Sequence, residues 1–580
     1  MSDTEKRKEE AKKVRMDAAE RAFNRPHPEH KSNHNGDDED QHHYMMNFSK
    51  GLHHNQETGL VEDTTKFKKF RKAIDDGLVD AFTSQGIASE KKSPGRKWEA
   101  PTAGYVFSLQ GPDAQAVTMP PAPALGTVEL AYEMAEVYEL ALLRDVSLKG
   151  FSSDSTAPEL ADSICRLNSI CYPLTGGDRN YQIGHPSVEG YEKDRPRTNK
   201  DGVIDAQNAY RGSSPGVEVG PYLSQFMLIG NNSLNGDGAP NDGLILFGAQ
   251  QISQKVPEAH KGQDYMTDWR DWLDAQNGQT EQDTSSLYTS NTRFITTPRD
   301  LASYVHHDAL YQAYLNALLI MLAKGTSFDP AFKTLSGQGP NTKDYQAGGF
   351  ALWGGPHILS LVTEVATRAL KAVRWQKFNT HLRLRPEVLA ARIHKAETLD
   401  TKFSLSGEES FKSMRAKIQE TVKQIEEKNS SGSALLPMAF QEGSPMHPSY
   451  GAGHATVAGA CVTILKAFFD GSQPFDATGH GANTAYVASD DGSTLDKVSV
   501  VGGNLTVNGE LNKLAANISI GRNMAGVHFY SDYFDSLRMG EAIAIGILEE
   551  QALCYPKDEF TLTLETFDGD NLTIHRSGVF

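Results

Sequence analysis

The chain has 580 residues, of which 38% are hydrophobic and 23% charged, enough apolar material for a large buried core in one or several domains. Its 57 Lys plus Arg against 74 Asp plus Glu give a formal net charge of −17. That balance argues against nucleic acid or an anionic membrane as the main partner, and an anionic ligand would need a local basic pocket.

Four cysteines, Cys165, Cys171, Cys461 and Cys554, are too few to staple a chain this long and lack metal-ligand spacing. They leave room for one Cys165–Cys171 bridge. The N-terminus is charged where a secretory signal needs an apolar run, and the longest apolar stretch, Ala309 to Leu322, is interrupted by Tyr, Gln and Asn. A soluble protein without an export signal, cytoplasmic by default, is the expectation.

Residues 1–60 read as a polar arm, mobile or helical and exposed, because through about Phe48 they lack the apolar clusters that offset ordering entropy. His27, His30, His34, His42, His43, His53 and His54 crowd this arm, but without a spacing that repeats on one helical face. They are read as solvated side chains rather than a metal site. Residues 61–580 read as a single large helical domain.

Apolar residues at helical spacing predict helices over Val128 to Arg144, Asp300 to Ala323, His357 to Thr380, Phe411 to Lys428, His454 to Phe469 and Phe534 to Ala552. The fold class is mainly α. Gly230 to Gly243 reads as a loop, and alternating runs at Lys497 to Val507 and Glu559 to Ile574 read as short β-hairpins. No repeat period marks a solenoid.

Three segments, 374–386, 444–456 and 521–532, collect residues suited to a tetrahedral oxyanion. The first carries Lys377, Arg385 and Pro386; a planar guanidinium fork and a compact ammonium together neutralise an anion that neither holds alone. The second runs Ser444-Pro-Met-His447-Pro-Ser-Tyr-Gly-Ala452-Gly453-His454 into an apolar helix. Its glycines let backbone N–H groups approach a ligand at the helix N-terminus, where the dipole favours anions. The third offers Arg522, a potential metal ligand in His528, and Asp532 four residues on, on one helical face. Singly, the first reads equally well as solvated helix-end charge, His454 of the second as a structural histidine, and Arg522 with Asp532 of the third as an ordinary surface ion pair.

In that order the segments resemble the three-part signature shared by vanadium haloperoxidases and related acid phosphatases. The similarity to the algal and cyanobacterial bromoperoxidase branch extends to Gly111-Pro-Asp-Ala-Gln, Pro120-Pro-Ala-Pro-Ala, Ala141-Leu-Leu-Arg-Asp and Gly354-Gly-Pro-His-Ile-Leu, spanning roughly residues 100–555. The resemblance implies two helical bundles around a channel with vanadate at its base, and a homo-oligomer. It implies oxidation of bromide or iodide by hydrogen peroxide to hypohalous acid, which halogenates a small organic acceptor.

By that resemblance His528 is the metal ligand, Lys377, Arg385, Arg522 and the Gly453 N–H bind vanadate oxygens, and His454 is the acid–base residue. Lys377 additionally polarises bound peroxide. Where most members carry Ser in the turn, this chain has Ala452, so a hydroxyl donor to an oxygen is missing. Arg374 and His447 match the bromoperoxidase branch, where they replace a Trp and a Phe of fungal chloroperoxidases, and so favour bromide over chloride.

Asp308 reads either as a buried carboxylate orienting the cationic cluster or as a helix-surface acid. Some algal relatives bind structural calcium ahead of Gly354; here Leu335 to Tyr345 holds one acid, Asp344, which argues against calcium. An acid phosphatase using a phosphohistidine, and a non-catalytic oligomeric scaffold on the same helices, are the competing readings.

Overall fold

In the computed structural model, which describes residues 2–32, 42–85, 96–173, 195–198, 202–231, 240–279, 287–332, 349–557 and 561–579, the site rests on a few long buried helices. Val128–Leu142 opens where the Thr127 side chain accepts the Leu130 N–H. It buries Glu129, Glu133, Glu136 and Glu139 along with its apolar residues. Each glutamate meets an arginine from elsewhere in the chain: Arg195, Arg383, Arg197 and Arg166 respectively. Buried carboxylates persist only when paired in this way.

Gly355–Trp375, Gly453–Phe468, Val507–Met524 and Tyr530–Gln551 are the helices that carry the site segments. Gly453–Phe468 and Tyr530–Gln551 cross in backbone contact. A Cβ added at Gly459 would lie 1.9 Å from the Leu537 carbonyl oxygen, and one at Gly540 would lie 2.1 Å from that of Thr456. This close approach aligns the N-terminus of one helix with His528, which lies just ahead of the other.

Three expected helices are divided or shifted. The stretch 300–323 forms Pro298–His307 and Gln312–Ala323, with Asp308 extended between them (φ −61°, ψ 144°) because its carboxylate bonds His454 instead of facing solvent on a continuous helix. The stretch 411–428 breaks at buried Ile418 into Phe411–Lys417 and Gln419–Lys428. Gly355–Trp375 passes into a π-helical turn, Gln376–His381, that carries Lys377; such turns recur at functional sites.

Strands are short antiparallel pairs. Leu562–Glu565 pairs with Asn571–His575 as expected, and Gly578–Val579 adds an edge. The hairpin expected at 497–507 is corrected: Leu495–Ser499 pairs with Thr484–Ala488. Gly502 and Gly503, with φ of 88° and 144°, then lead the chain out of the strand, and Thr506 caps the helix from Val507. Leu244–Phe247 with Gln250–Ser253, and Val256–Ala259 with Tyr288–Arg293, form two further pairs that periodicity did not reveal.

The polar arm needs a correction as well. Asp3–Asn24 is a helix with no buried residue, tied to the C-terminal helix by Arg25 at 3.1 Å from Glu549 and 3.3 Å from Glu550. Residues 44–61, in contrast, are mostly core, with Gln56 and Glu57 exposed. Tyr44, Phe48, Leu52 and Val61 join Phe67, Phe70 and Phe82 in a cluster that packs on Phe378 and Leu382 beside Lys377. Lys50 is fully buried, donating to Glu387 at 3.2 Å and to the Glu442 and Ser444 carbonyls at 2.7 and 2.8 Å. Burial pushes its ammonium down to about 8 against the pull of Glu387.

The main core cluster draws its members from Met45 to Ile574. All four cysteines are free thiols, Cys165 and Cys171 included. No helix among the described residues is long and apolar enough to cross a membrane. His34 and the segment weighed for calcium, 335–345, lie outside the described residues.

Gly540→Ala drives a methyl into the backbone of the crossing helix. It should cost about 3 kcal/mol of stability, at the upper end of typical overpacking penalties; denaturant unfolding followed by circular dichroism measures it.

Candidate active site

A cavity of about 330 Å³ opens where the three segments meet, lined by Arg374, His447, Gly453, His454, Arg522 and His528 among others. Lys377 and Arg385 lie behind these residues, with no exposed surface. Lys377 Nζ donates to the Pro448 and Ser449 carbonyls at 2.6 and 3.0 Å. Arg385 donates from Nη1 to His528 Nε2 at 3.0 Å, and its Nη2 meets His447 Nδ1 at 2.8 Å.

His528 is oriented from behind. Its Nδ1 lies 2.7 Å from Asp532 Oδ2, and a carboxylate acceptor there fixes the proton on Nδ1 and makes Nε2 the lone-pair nitrogen, which here accepts from Arg385 Nη1. Burial, then Arg385, holds the imidazole well below its ordinary pKa, so the ring is neutral and able to coordinate. Asp532 sits in the first turn of its helix and also accepts the Phe529 N–H at 3.0 Å. The His528–Asp532 contact therefore arises from an N-terminal turn and not from one helical face, and Asp532 pairs with Arg383 at 2.9 Å rather than with Arg522.

The cations repel one another. Burial, then Arg385 and Arg374, depresses the Lys377 ammonium far below its usual range, and burial brings Arg385 down to about 9. Within this crowd Arg374 Nε and Nη1 and Arg522 Nε are buried without a partner. Unsatisfied buried donors are costly, and a bound anion would relieve both that cost and the repulsion. Gly453 opens the Gly453–Phe468 helix, where the first N–H groups have no intrahelical acceptor. The donor set thus fits a tetrahedral oxyanion such as vanadate.

His454 Nε2 lies 3.0 Å from Asp308 Oδ1, whose side chain is 2% exposed. Of the two readings of Asp308, the buried carboxylate is the one that holds. Ala452 is buried, its N–H donated to Ser536 Oγ at 2.8 Å. No hydroxyl stands at its position.

Several site residues escaped the sequence reading. Glu99 bridges Arg374 (2.7 Å) and His447 (3.2 Å) at the cavity edge. Arg96, His306 and Glu442 also line it, His306 stacking on Phe440 with ring centroids 3.9 Å apart. Arg383 braces Asp532, and only its place between Lys377 and Arg385 hinted at a role. Glu99 lies 275 residues from Arg374 in no recognisable motif, so no local signal marked it.

Comparison with known proteins identifies the family. The family model for the VCPO second helical-bundle domain matches residues 359–553. The vanadium-dependent bromoperoxidase of Corallina pilulifera is 41% identical over 570 residues, covering 92% of this chain and 91% of the relative; that of Corallina officinalis is 40% identical over the same share of each chain. The homohexameric structure of the second vanadate-dependent bromoperoxidase from Ascophyllum nodosum superposes with a TM-score of 0.80 at 25% identity, covering 99% of this chain and 91% of that one. With this identity along nearly its whole length, the chain belongs to the vanadium-dependent bromoperoxidases.

Proposed function

We propose that this chain oxidises bromide with hydrogen peroxide, yielding hypobromous acid and water for each bromide, peroxide and proton consumed, at a vanadate held by His528 Nε2. The observation that carries the reading is the neutral, Asp532-oriented His528 facing a ring of buried cations with unpartnered donors. Lys377, Arg385, Arg522 and the Gly453 N–H would hold the oxygens. When bound, vanadate supplies Lewis-acid activation of peroxide; the protein supplies placement, charge and proton transfer.

Asp308 holds His454 Nε2, so the proton sits there and Nδ1 is left as the base that accepts a proton from incoming peroxide. The carboxylate stabilises the resulting imidazolium, and the proton returns when product leaves. Lys377, anchored by the Pro448 and Ser449 carbonyls, adds positive charge where negative charge develops. Arg374 and His447 make one wall polar, which supports bromide and the more easily oxidised iodide over chloride. A small organic acceptor takes the halogen. Exposed Phe23, Phe107 and Leu109, at 82, 85 and 101%, together with the homohexameric neighbour, support a homo-oligomer.

Metal-stripped protein given vanadate should brominate monochlorodimedone in the presence of bromide and peroxide, and phosphate should compete. Absence of vanadate-dependent activity, with phosphate bound and phosphate esters hydrolysed, would favour the phosphatase reading instead. Asp308→Asn removes the carboxylate from His454 and should lower kcat about a hundredfold with vanadate affinity little changed, as steady-state assays at saturating vanadate will read. Ala452→Ser restores a hydroxyl donor and should tighten vanadate binding roughly tenfold or more, the worth of one charge-assisted hydrogen bond, in an equilibrium titration.

A further inference from the structure

Glu99 enters the cavity from a segment outside all three motifs. Its backbone N–H donates to the Met446 carbonyl at 3.1 Å, which fixes it alongside His447. Oε1 accepts from Arg374 Nη2 at 2.7 Å, and Oε2 faces His447 Nε2 at 3.2 Å. The Glu99 side chain is 57% exposed, against 5% for Arg374 and 8% for His447. The carboxylate therefore stands at the solvent end of the cavity with two buried groups behind it. On the inner side, Arg374 Nη1 would lie 3.9 Å from a Cβ built on Gly453, and both Nη1 and Nε lack partners. Arg374 thus spans the distance from Glu99 at the mouth to the helix N-terminus at the oxyanion seat.

We propose that Glu99 is a positioning and specificity-determining residue: a built-in counter-anion that orients Arg374 and His447 and sets the net positive charge an entering halide meets. This rests on the bromoperoxidase reading of the same site. An anion drawn toward Arg374 also meets the repulsion of the fixed carboxylate. The chain thereby trades halide affinity for a defined guanidinium, whose unpartnered Nη1 lies beside Gly453. Arg96, Glu442 and Asp308, which also line the cavity, leave the local balance close enough that one charge matters.

Three variants of the full-length protein separate charge from orientation. Glu99→Gln keeps the shape and an acceptor for Arg374 but removes the charge; Glu99→Asp keeps the charge on a shorter stem; Glu99→Ala removes both. In calorimetric titration of vanadium-free protein with inorganic phosphate, Glu99→Gln should bind roughly two- to tenfold more tightly, a range limited by solvent screening of the exposed carboxylate. With vanadate bound, its KM for bromide should fall by a similar factor, more than kcat changes. Glu99→Ala should lose kcat as Arg374 and His447 are released, and Glu99→Asp should restore most of it. Phosphate affinity and bromide KM of Glu99→Gln both equal to the parent's would overturn the proposal. Should the parent itself fail to oxidise bromide, the reaction assigned to the site falls, and the phosphate titration still decides whether Glu99 sets its affinity for anions.

Discussion

The repulsion among buried Lys377, Arg374, Arg385 and Arg522 is the constraint on which the rest of this structure depends. Burial lowers the pKa of every one of them, so the fold must hold together a cluster that would disperse if its side chains were free to move. Each cation is restrained from a different direction. Lys377 is tied to carbonyls at 448 and 449, Arg385 to the His447 and Val527 carbonyls, Arg522 to that of Val305 and Arg374 to Glu99. Charge this incompletely compensated is destabilising in a folded core but is well suited to binding an anion.

Two kinds of scaffold make that restraint possible. One is steric: Gly459 and Gly540 let two helices meet backbone to backbone, so the residues at their starts are placed by main chain instead of by flexible side chains. The other is electrostatic. Glu133 on Val128–Leu142 pairs with Arg383, Arg383 pairs with Asp532, and Asp532 orients His528. Ser449 donates to the same Asp532 carboxylate. His528 is thus fixed through a buried chain of charge pairs, which protects its tautomer from the cationic field in front of it.

The segment 44–61 extends the scaffold. Its aromatic cluster packs behind Phe378 and Leu382, and Lys50 holds the backbone at 442 and 444 against Glu387. A stretch rich in His and Asn at its flanks carries enough Phe, Tyr and Met to be core, and composition averaged over the whole arm concealed this.

The sequence by itself determined the helical class and marked the three segments whose residues meet at one cavity, because helical periodicity and short motifs are local properties of a chain. The hairpin at 562–575 was legible for the same reason. Tertiary structure alone decided where the 300–323 helix breaks, since Asp308 leaves the helix for a partner 146 residues away. It alone decided that the strand at 495–499 looks back to 484–488, and that Glu99 and Arg383 belong to the site. Those outcomes turn on charge pairs and backbone contacts between distant segments, and no local pattern records which buried carboxylate will meet which buried cation.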